Sequence, residues 1–263
     1  METKIYYFSG AGNSLGLAKA LKNALSMDTE LMRMVDYRYE EDMEVNAGIM
    51  GFVFPVYFLS VPTIVKEFIK KIKIKGNPYI FGVAACNARP GHSLFTIDKL
   101  LMEKGHRLSA GYTVQMPGVS IVDGFLTSAE VNIQRLEKSK SKILEIAAAI
   151  NKKVPTAPEG DNSIKSHFTG RLMTLLAGQI LNPKLFYTTD RCSGCNICKR
   201  ICPVENINMS SDQKPLWGRK CLHCMACLHW CPQKAVELGR HSQEKARFQH
   251  PEAGLDEMLN TTH

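Results

Sequence analysis

Residues 192–203 read CSGCNICKRICP, and residues 221–232 read CLHCMACLHWCP. Both follow the spacing Cys-x2-Cys-x2-Cys-x3-Cys-Pro, and together they hold eight of the nine cysteines. Three thiolates spaced in this way must share one tight loop and can bind three irons of one cube. The fourth cysteine, held away by three residues and a proline turn, is aimed at the other cluster. The repeat therefore predicts two [4Fe–4S] clusters with exchanged ligands.

This exchange assigns four cysteines to each cluster. The first cluster would be bound by Cys192, Cys195, Cys198 and Cys231. The second would be bound by Cys221, Cys224, Cys227 and Cys202. Over residues 185–240 the chain resembles the bacterial two-cluster [4Fe–4S] ferredoxins, and this resemblance implies a small α+β domain.

Zinc and disulfides account less well for the cysteines. Zinc sites use paired Cys-x2-Cys knuckles from separated loops, and three consecutive steps would crowd a tetrahedral site. Disulfides are disfavoured because no secretory leader precedes the chain and the cysteines are densely packed. His223 and His229 fall inside the second copy. They are interpreted either as hydrogen-bond donors near cluster sulfurs or as surface side chains beside a loop.

The first 151 residues alternate strand and helix patterns. Apolar, β-rich runs near residues 4–8, 29–34, 47–54, 79–85 and 112–116 alternate with segments of helical period. Five strands alternating with helices predict an α/β fold with a doubly wound parallel sheet. Such a sheet binds its ligands at the carboxyl ends of its strands.

The first strand-to-helix turn predicts a phosphate site. It is formed by Ser9, Gly10, Ala11, Gly12, Asn13 and Ser14. Glycines allow a sharp turn, backbone amides point inward, and the following helix supplies its positive end. The turn lacks the Gly-Lys-Ser/Thr of a P-loop and the third glycine of a dinucleotide fingerprint. A terminal monophosphate suits this small group of hydroxyls and glycines, and a plain tight connection is the alternative.

At these residues the chain resembles the flavodoxins, whose loop has the form Ser/Thr-x-Thr-Gly-Asn-Thr/Ser. The resemblance covers residues 1–151 and implies bound FMN on a five-stranded sheet of order 2-1-3-4-5. Ala11 departs from the pattern and removes one phosphate contact. Two later loops match those that flank the flavin ring in that family. They contain Pro55, Val56, Tyr57 and Phe58, then Cys86, Asn87, Ala88, Arg89 and Gly91.

Three of these residues carry particular expectations. Tyr57 is the candidate for stacking on the flavin, with a rim aromatic as the alternative. Arg89 would stabilise the anionic reduced ring, unless it is a solvated loop charge. Cys86, the ninth cysteine, is either a reactive thiol or, more commonly, a small residue that ends a buried strand. No residue is assigned a catalytic role with certainty.

Length and charge limit the remaining classes. A chain of 263 residues is long enough for two domains. Its net charge of +8 would be largely offset by cluster and flavin-phosphate charges. Without a Lys/Arg tract or interleaved aromatics, nucleic acid is not an expected partner. The absence of a leader and of a transmembrane stretch indicates the cytoplasm.

The expected domains are an FMN-binding domain at 1–151, a linker at 152–184, a ferredoxin domain at 185–240 and a polar tail at 241–263. Within the linker, 163–181 has helical period with an apolar stripe. That stripe is formed by Ile164, Phe168, Leu172, Leu175, Leu176 and Ile180. We expect it to dock the ferredoxin domain onto the flavin domain, with a membrane-surface helix as the alternative. The tail carries no assignable chemistry and is expected to be mobile.

The combination resembles the fused flavodoxin–ferredoxin proteins of anaerobic prokaryotes. The first hypothesis is an electron-transfer flavoprotein that couples one-electron clusters to FMN in low-potential anaerobic metabolism. The second is an FMN-dependent reductase of a small acceptor such as a quinone or flavin. The third is a redox- or oxygen-sensing module. Basic residues of the ferredoxin segment predict a redox protein partner with an acidic docking face. The oligomeric state stays open, with a homodimer as one alternative.

Overall fold

The structure is a computed structural model that describes residues 2–121, 126–180, 182–240 and 242–260, without the side chains of 177–180. Its strands are β1 (Thr3–Tyr7), β2 (Thr29–Arg33), β3 (Glu44–Asn46), β4 (Ile49–Pro55), β5 (Lys73–Lys75), β6 (Tyr79–Cys86), β7 (Ala110–Gln115), β8 (Phe186–Thr188), β9 (Ile207–Met209), β10 (Pro215–Trp217) and β11 (Val236–Leu238). Its α-helices are α1 (Asn13–Ala24), α2 (Thr63–Lys71), α3 (Ser93–Met102), α4 (Ala129–Asn151), α5 (Ile164–Ile180), α6 (Ile197–Arg200), α7 (Ala226–His229) and α8 (Leu255–Met258).

The N-terminal half is a doubly wound parallel sheet. Its strand order is β2-β1-β4-β6-β7, which confirms the predicted order 2-1-3-4-5 when its own strands are counted. The central strand β4 is buried along nearly its whole length and pairs with β1 and β6 in parallel. Continuous burial on both faces explains why these strands read as unbroken apolar runs. Buried side chains form one hydrophobic cluster on each face of the sheet.

A second, two-stranded parallel sheet was not predicted. It pairs β3 with β5 and opposes Val45 to Ile74. Each strand has three residues, and its one apolar side chain stands between two polar ones. So short an alternation is too weak a signal to distinguish from a polar loop.

Residues 154–161 do not form a free linker. Thr156 pairs with Ala110 of the edge strand β7 as an isolated parallel bridge. The amide of Gly111 donates to the carbonyl of Thr156 at 3.2 Å, and Glu159 donates back to Gly111 at 3.0 Å. This segment therefore covers the open edge of the sheet, which would otherwise expose unpaired backbone groups.

The expectation that the apolar stripe of α5 docks the ferredoxin domain onto the flavin domain is wrong. Ile164, Phe168 and Leu175 are exposed rather than packed between the two halves. The helix instead contacts the N-terminal half through small residues, since a Cβ at Gly170 would lie 2.5 Å from the ring of His92. The predicted end at Leu181 and the side chain of Ile180 lie outside the described residues.

The cysteine-rich half, residues 185–240, repeats its structure as well as its sequence. Adding 29 to the residue numbers converts β8 into β10, α6 into α7 and β9 into β11. The strands pair across the repeats, β8 with β11 and β10 with β9, both antiparallel. Ile207 and Val236, which occupy equivalent positions of the two copies, are buried in one cluster. Cross-pairing makes the two copies one folding unit, so neither copy has a core of its own.

The described part of the polar tail is packed rather than free. Residues 242–260, the C-terminal segment, place Met258 and Leu259 in the core of the N-terminal half. Arg33 donates to the carbonyls of Glu257 and Leu259, and Asn260 donates to the carbonyl of Cys202 at 2.7 Å. The expectation of a mobile tail is thereby corrected, because this segment is bonded to both halves.

Candidate functional site

A cavity of about 410 Å³ lies at the carboxyl edge of the parallel sheet, where the fold class predicts a ligand. We call it the edge cavity. The loops after β4 and β6 form one wall, and the loop 223–225 of the cysteine-rich half forms another. The predicted residues among its lining are Asn13, Pro55, Val56, Tyr57, Phe58, Cys86, Asn87, Ala88 and Arg89. Both halves of the chain therefore contribute to this cavity.

The loop after β4 is held in a strained turn. Tyr57 and Ser60 exchange backbone hydrogen bonds of 2.9 and 3.0 Å, and Phe58 and Leu59 between them have φ of 52° and 60°. Left-handed conformations are uncommon for bulky side chains and mark positions where the surroundings fix the backbone. A Cβ at Gly91 would lie 2.2 Å from the carbonyl oxygen of Leu59. Gly91 thus lets the two loops meet, and it does not itself line the cavity.

Tyr57 is half-buried and lines the edge cavity. Its ring meets Phe8 edge-on with centroids 6.3 Å apart. Burial raises the pKa of the Tyr57 hydroxyl well above its usual value, so the group stays protonated and can donate a hydrogen bond. The Tyr57 hydroxyl and Cys224 both lie beside Gly10, and Tyr57 forms part of the cavity wall.

The residues after β6 divide into fixed and exposed groups. Arg135 donates to the side chain of Asn87 and to the carbonyl of Met116, which fixes this loop against its neighbour. Burial raises the pKa of the Cys86 thiol to about 11, so the thiol is protonated at neutral pH. That favours the interpretation of Cys86 as a small buried residue over a reactive one. Ala88 and Arg89 are exposed at the cavity mouth.

Residues 9–14, the predicted phosphate site, are called the phosphate loop and contain buried polar atoms without partners. The side-chain oxygens of Ser9, Asn13 and Ser14 are buried and have no hydrogen-bond partner in the structure. Gly12 has φ of +96° and caps α1 in a left-handed conformation that glycine adopts without strain. Two hydroxyl donors beside a helix N-terminus fit the oxygens of a phosphate group.

The same loop is closely covered. A Cβ at Gly10 would lie 2.5 Å from the carbonyl oxygen of Cys224, and one at Gly12 would lie 2.9 Å from the Cβ of Ala253. Ser9, Gly10, Ala11, Gly12 and Ser14 therefore lie apart from the edge cavity, and Asn13 is the loop residue that reaches it. Its amide donates to the carbonyl of Pro117 at 2.9 Å. No pattern in the sequence indicated that the cysteine-rich half and the C-terminal segment would enclose this loop.

The eight repeated cysteines surround two further cavities. The first cysteine cavity is lined by Cys192, Cys195, Cys198 and Cys231. The second cysteine cavity is lined by Cys202, Cys221, Cys224 and Cys227. The structure thus brings together the two sets that the exchanged spacing predicted, each with its fourth cysteine from the opposite copy.

In both copies a backbone amide four residues further along donates a hydrogen bond to the sulfur of the fourth cysteine. Asn206 donates to the sulfur of Cys202 at 3.2 Å, and Ala235 donates to that of Cys231 at 3.3 Å. Burial raises the pKa of the Cys221 thiol to about 11 and of Cys198 to about 12. Buried thiols with raised pKa become thiolates only beside positive charge, which bound iron supplies. The donor set therefore fits iron.

The cysteines that line each cavity are not gathered around a single point. Within the ranges that the structure describes, no three His, Cys, Asp or Glu side chains are close enough to hold one metal ion. A zinc ion would draw its sulfur ligands to about 2.3 Å from one point. A four-iron cube instead binds each thiolate through a different iron, so its ligands stand further apart.

Two histidines and a tryptophan near the second cysteine cavity have positions that the sequence did not predict. His229 is buried, and its ring nitrogens face the carbonyl of Val119 at 2.8 Å and the amide of Phe248 at 3.2 Å, so neither is left for a sulfur. His223 lines the edge cavity, and its Nδ1 is buried without a partner. Trp217 lines the second cysteine cavity, also with an unpartnered Nε1.

Cys224 is the predicted cluster ligand shared by the two kinds of site, and the next residue, Met225, lines both as well. Cys224 lines the edge cavity and the second cysteine cavity at once. The neighbouring Trp230 donates from its indole nitrogen to the carbonyl of Gly10 at 3.0 Å, which fixes this copy against the phosphate loop. Cys224 and Met225 therefore lie between the edge cavity and the second cysteine cavity.

Comparisons with known proteins support iron–sulfur binding by the cysteine-rich half. Residues 191–236 match the family model of the 4Fe-4S dicluster domain. One subunit of the ion-translocating oxidoreductase complex of Methanosarcina acetivorans is 40% identical over 47 residues. These residues are 18% of this chain and 18% of that subunit, so the chain spans under a fifth of the curated relative it matches.

Two solved structures overlap the chain at low similarity. A flavodoxin from the domain Archaea gives a TM-score of 0.37 at 12% identity, covering 57% of this chain and 99% of that one. The rubredoxin oxygen:oxidoreductase of the anaerobe Desulfovibrio gigas gives 0.38 at 14% identity, covering 58% of this chain and 36% of that one. The fold assignment of the N-terminal half rests on the order of its parallel strands, which is flavodoxin-like. That of the C-terminal half rests on the match to the 4Fe-4S dicluster domain.

No helix in the described parts of the chain combines the length and the hydropathy that crossing a bilayer requires.

Proposed function

We propose that this protein is an electron-transfer flavoprotein that couples two [4Fe–4S] clusters to one FMN in low-potential, anaerobic metabolism. The observation that carries the proposal is the position of Cys224, which lines both the edge cavity and the second cysteine cavity. A ring bound in the edge cavity would lie against a ligand of the second cluster. FMN supplies the exchange between two-electron and one-electron steps, which a cluster alone cannot make.

Named residues would hold each group. The hydroxyls of Ser9 and Ser14 would donate to the FMN phosphate, since both are buried and unpartnered. Tyr57 and the loop 86–89 would contact the ring, with Arg89 at the cavity mouth beside its negative charge. The cysteines that line the two cysteine cavities would ligate the first and second clusters.

The first cluster would be the outer end of this relay. Cys195, one of its predicted ligands, is exposed, whereas Cys224 at the equivalent position of the second copy faces the N-terminal half. Exposed Lys199, Arg191 and Lys234 lie around this end of the molecule. Their charge supports an acidic docking face on a redox partner. The similarity to a subunit of an oxidoreductase complex supports a protein partner for this half.

One observation favours a second candidate, an FMN-dependent reductase of a small acceptor. The edge cavity is walled by Met173 of α5 as well as by the two loops, so the ring would not sit on an open surface. Asn87, Ser120 and His223 place polar groups on that wall. Such a cavity has the character of a small-molecule site. Turnover of quinones or free flavins by the reconstituted protein would support this candidate.

The test is anaerobic reconstitution followed by iron, sulfide and flavin analysis of one preparation. We expect about eight irons and one FMN per chain, from two four-iron clusters and one flavin site. A preparation with four irons would remove one cluster from the proposal, and one without flavin would remove the FMN site. As a matched control, Cys86→Ala should keep the full iron content because Cys86 lies outside both cysteine cavities.

A further inference from the structure

The outer face of α5 is strongly apolar and has no partner among the described residues. Ile164 is 89% exposed, Phe168 68% and Leu175 64%. Leu172 and Leu176 are exposed beside them. These positions follow one another at helical spacing and form one continuous stripe, the α5 face. An exposed apolar stripe of this kind marks an interaction surface.

The structure holds the α5 face outward. The opposite side of the helix carries Ser166, which is buried, and Gly170, which approaches the ring of His92. His167 packs against the same ring with centroids 4.2 Å apart. Because small residues give the close contact, the large apolar side chains are left on the solvent side. The orientation of the helix is thus set by its packing on the N-terminal half.

Charge on this helix has one sign. Lys165 and Arg171 are exposed and, at 100° per residue, lie within or at the border of the α5 face. No aspartate or glutamate occurs between Asn162 and Thr189. Long cationic side chains can bury their stems beside apolar residues and keep their charges in a head-group layer. An apolar stripe with cations alone complements a surface that is both apolar and negative.

We propose that the α5 face docks onto an anionic lipid surface and holds the protein at the membrane as a peripheral protein. Interfacial helices bind through buried apolar area together with attraction to anionic lipids, as this face would. A second copy of the chain fits less well, because a two-fold contact through this face would bring the cationic Lys165 and Arg171 of both copies together. The proposal does not depend on what the edge cavity binds.

Docking in this way would bring the edge cavity close to the membrane. Met173 lies on the inner side of the same helix and lines that cavity. One helix, about 10 Å in diameter, would therefore separate the lipid surface from the cavity. An apolar acceptor dissolved in the membrane would have a short path to the site.

The experiment is co-sedimentation of the anaerobically reconstituted chain with vesicles. Vesicles of phosphatidylcholine mixed with phosphatidylglycerol are compared with vesicles of phosphatidylcholine alone. We expect binding to the mixed vesicles that weakens with added salt. Phe168→Ser with Leu175→Ser should weaken that binding more than about tenfold. Lys165→Gln and Arg171→Gln should each weaken it about fivefold.

A matched control separates this face from exposed apolar residues in general. Ile133 is 69% exposed and Leu144 63% exposed on α4, close to the values of Phe168 and Leu175. The double variant I133S/L144S should bind vesicles as the parent does, and circular dichroism and iron content should show that both double variants fold.

Three results would overturn the proposal. The first is binding that is equal on neutral and mixed vesicles. The second is loss of binding in I133S/L144S to the same degree as in F168S/L175S. The third is no vesicle binding at all. In that case, a dimer in sedimentation velocity that F168S/L175S dissociates would identify a second copy as the occupant, and a monomer would point to a protein partner.

Discussion

Ser9 and Ser14 carry hydroxyls that are buried in the loop before α1 without a hydrogen-bond partner. A buried polar group without a partner costs free energy, so such groups persist where a ligand satisfies them. Leu15 and Leu17, by contrast, follow the loop on α1 and are buried in the core. The phosphate of the proposed FMN would satisfy these two hydroxyls.

Replacement of Ser14 tests whether the ligand is a phosphate. We expect Ser14→Ala to weaken FMN binding about tenfold to a hundredfold, the usual cost of losing a hydrogen bond to a charged group. Riboflavin, which lacks the phosphate, should bind the variant and the parent equally. Flavin fluorescence titrations of both ligands measure this. Equal loss of the two ligands would show that Ser14 shapes the ring site rather than a phosphate site.

Trp217 offers a second test at this scale, because its unpartnered Nε1 lies at the second cysteine cavity beside Cys227. A hydrogen bond from an N–H group to a cluster sulfur stabilises the reduced cluster, which is the more negative form. Trp217→Phe keeps the stacking on Phe186 at 5.4 Å and removes the donor. We expect the potential of the second cluster to fall by about 40 mV, the equivalent of about 1 kcal/mol.

Redox titration followed by electron paramagnetic resonance measures that potential. Trp230→Phe is the matched control, since this indole donates to the carbonyl of Gly10 and not to a cysteine. It should leave the cluster potential near that of the parent. An unchanged potential in Trp217→Phe would mean that the indole does not donate to the cluster.

The cysteine sets were predictable from the sequence, whereas the positions of Trp217 and His223 were not. Iron demands four thiolates with fixed chain spacing, and this constraint is visible in any sequence that meets it. A hydrogen-bond donor needs only to arrive at the right place, and its position depends on how the two copies cross. His229 shows the difference, since its place in the motif allowed either a donor to a cluster sulfur or a surface side chain. It is instead buried, with both ring nitrogens facing backbone groups.

At the scale of elements, the C-terminal segment places a titratable side chain, His250, beside the phosphate loop. The ring of His250 lies over Gly16, where a Cβ would come within 2.1 Å of it, and its amide donates to the carbonyl of Ala11 at 3.1 Å. Burial lowers the pKa of His250 to about 4, with Glu252 opposing and Lys19 adding to the shift. The segment therefore covers the phosphate loop with a neutral imidazole.

Acid should weaken this cover. The pKa of His250 is lower in the folded chain than its usual value near 6.5, so the stabilisation is complete above about pH 6.5 and is lost as the pH falls towards 4. The loss at pH 5 is about 2 kcal/mol. His250→Phe keeps a ring over Gly16 and cannot titrate. Unfolding by urea at pH 7 and pH 5 should show a smaller pH effect in the variant, and an equal effect would assign the pH dependence to other groups.

The regular elements of the parallel sheet were largely visible in the sequence, and the C-terminal segment was not. Continuous apolar runs and helical periods reflect the local geometry of strands and helices. The C-terminal segment contributes Met258 and Leu259 to a core formed by residues far away in the chain. The apolar residues at its end, Leu255, Met258 and Leu259, follow a long polar stretch and are too few to predict that they pack on a distant core. The outward face of α5 was not predictable either, because a stripe does not say which side of its helix packs.

For the whole molecule, the two halves form one packed body rather than two domains on a flexible tether. Ile201, Ala226 and Trp230 are buried in the same cluster as the sheet residues Ile5 and Val83. A shared core fixes the distance between the edge cavity and the second cysteine cavity, so exchange between them would not wait for diffusion.

The edge cavity adjoins the second cysteine cavity but not the first. Substitutions of equivalent cysteines in the two copies should therefore affect electron transfer differently. Cys195 and Cys224 are related by the 29-residue repeat, yet Cys195 is exposed and Cys224 lines the edge cavity. We expect Cys224→Ala to abolish rapid exchange between clusters and flavin, and Cys195→Ala to keep that exchange while impairing electron transfer with an external protein. Flash photoreduction followed at flavin wavelengths measures the internal step, which should be first order and independent of protein concentration in the parent and in Cys195→Ala. Iron analysis and circular dichroism confirm that each variant is folded and keeps its remaining cluster. Rapid internal exchange in Cys224→Ala would show that electrons reach the flavin by another route, since no further predicted cluster ligand lines both cavities among the described residues.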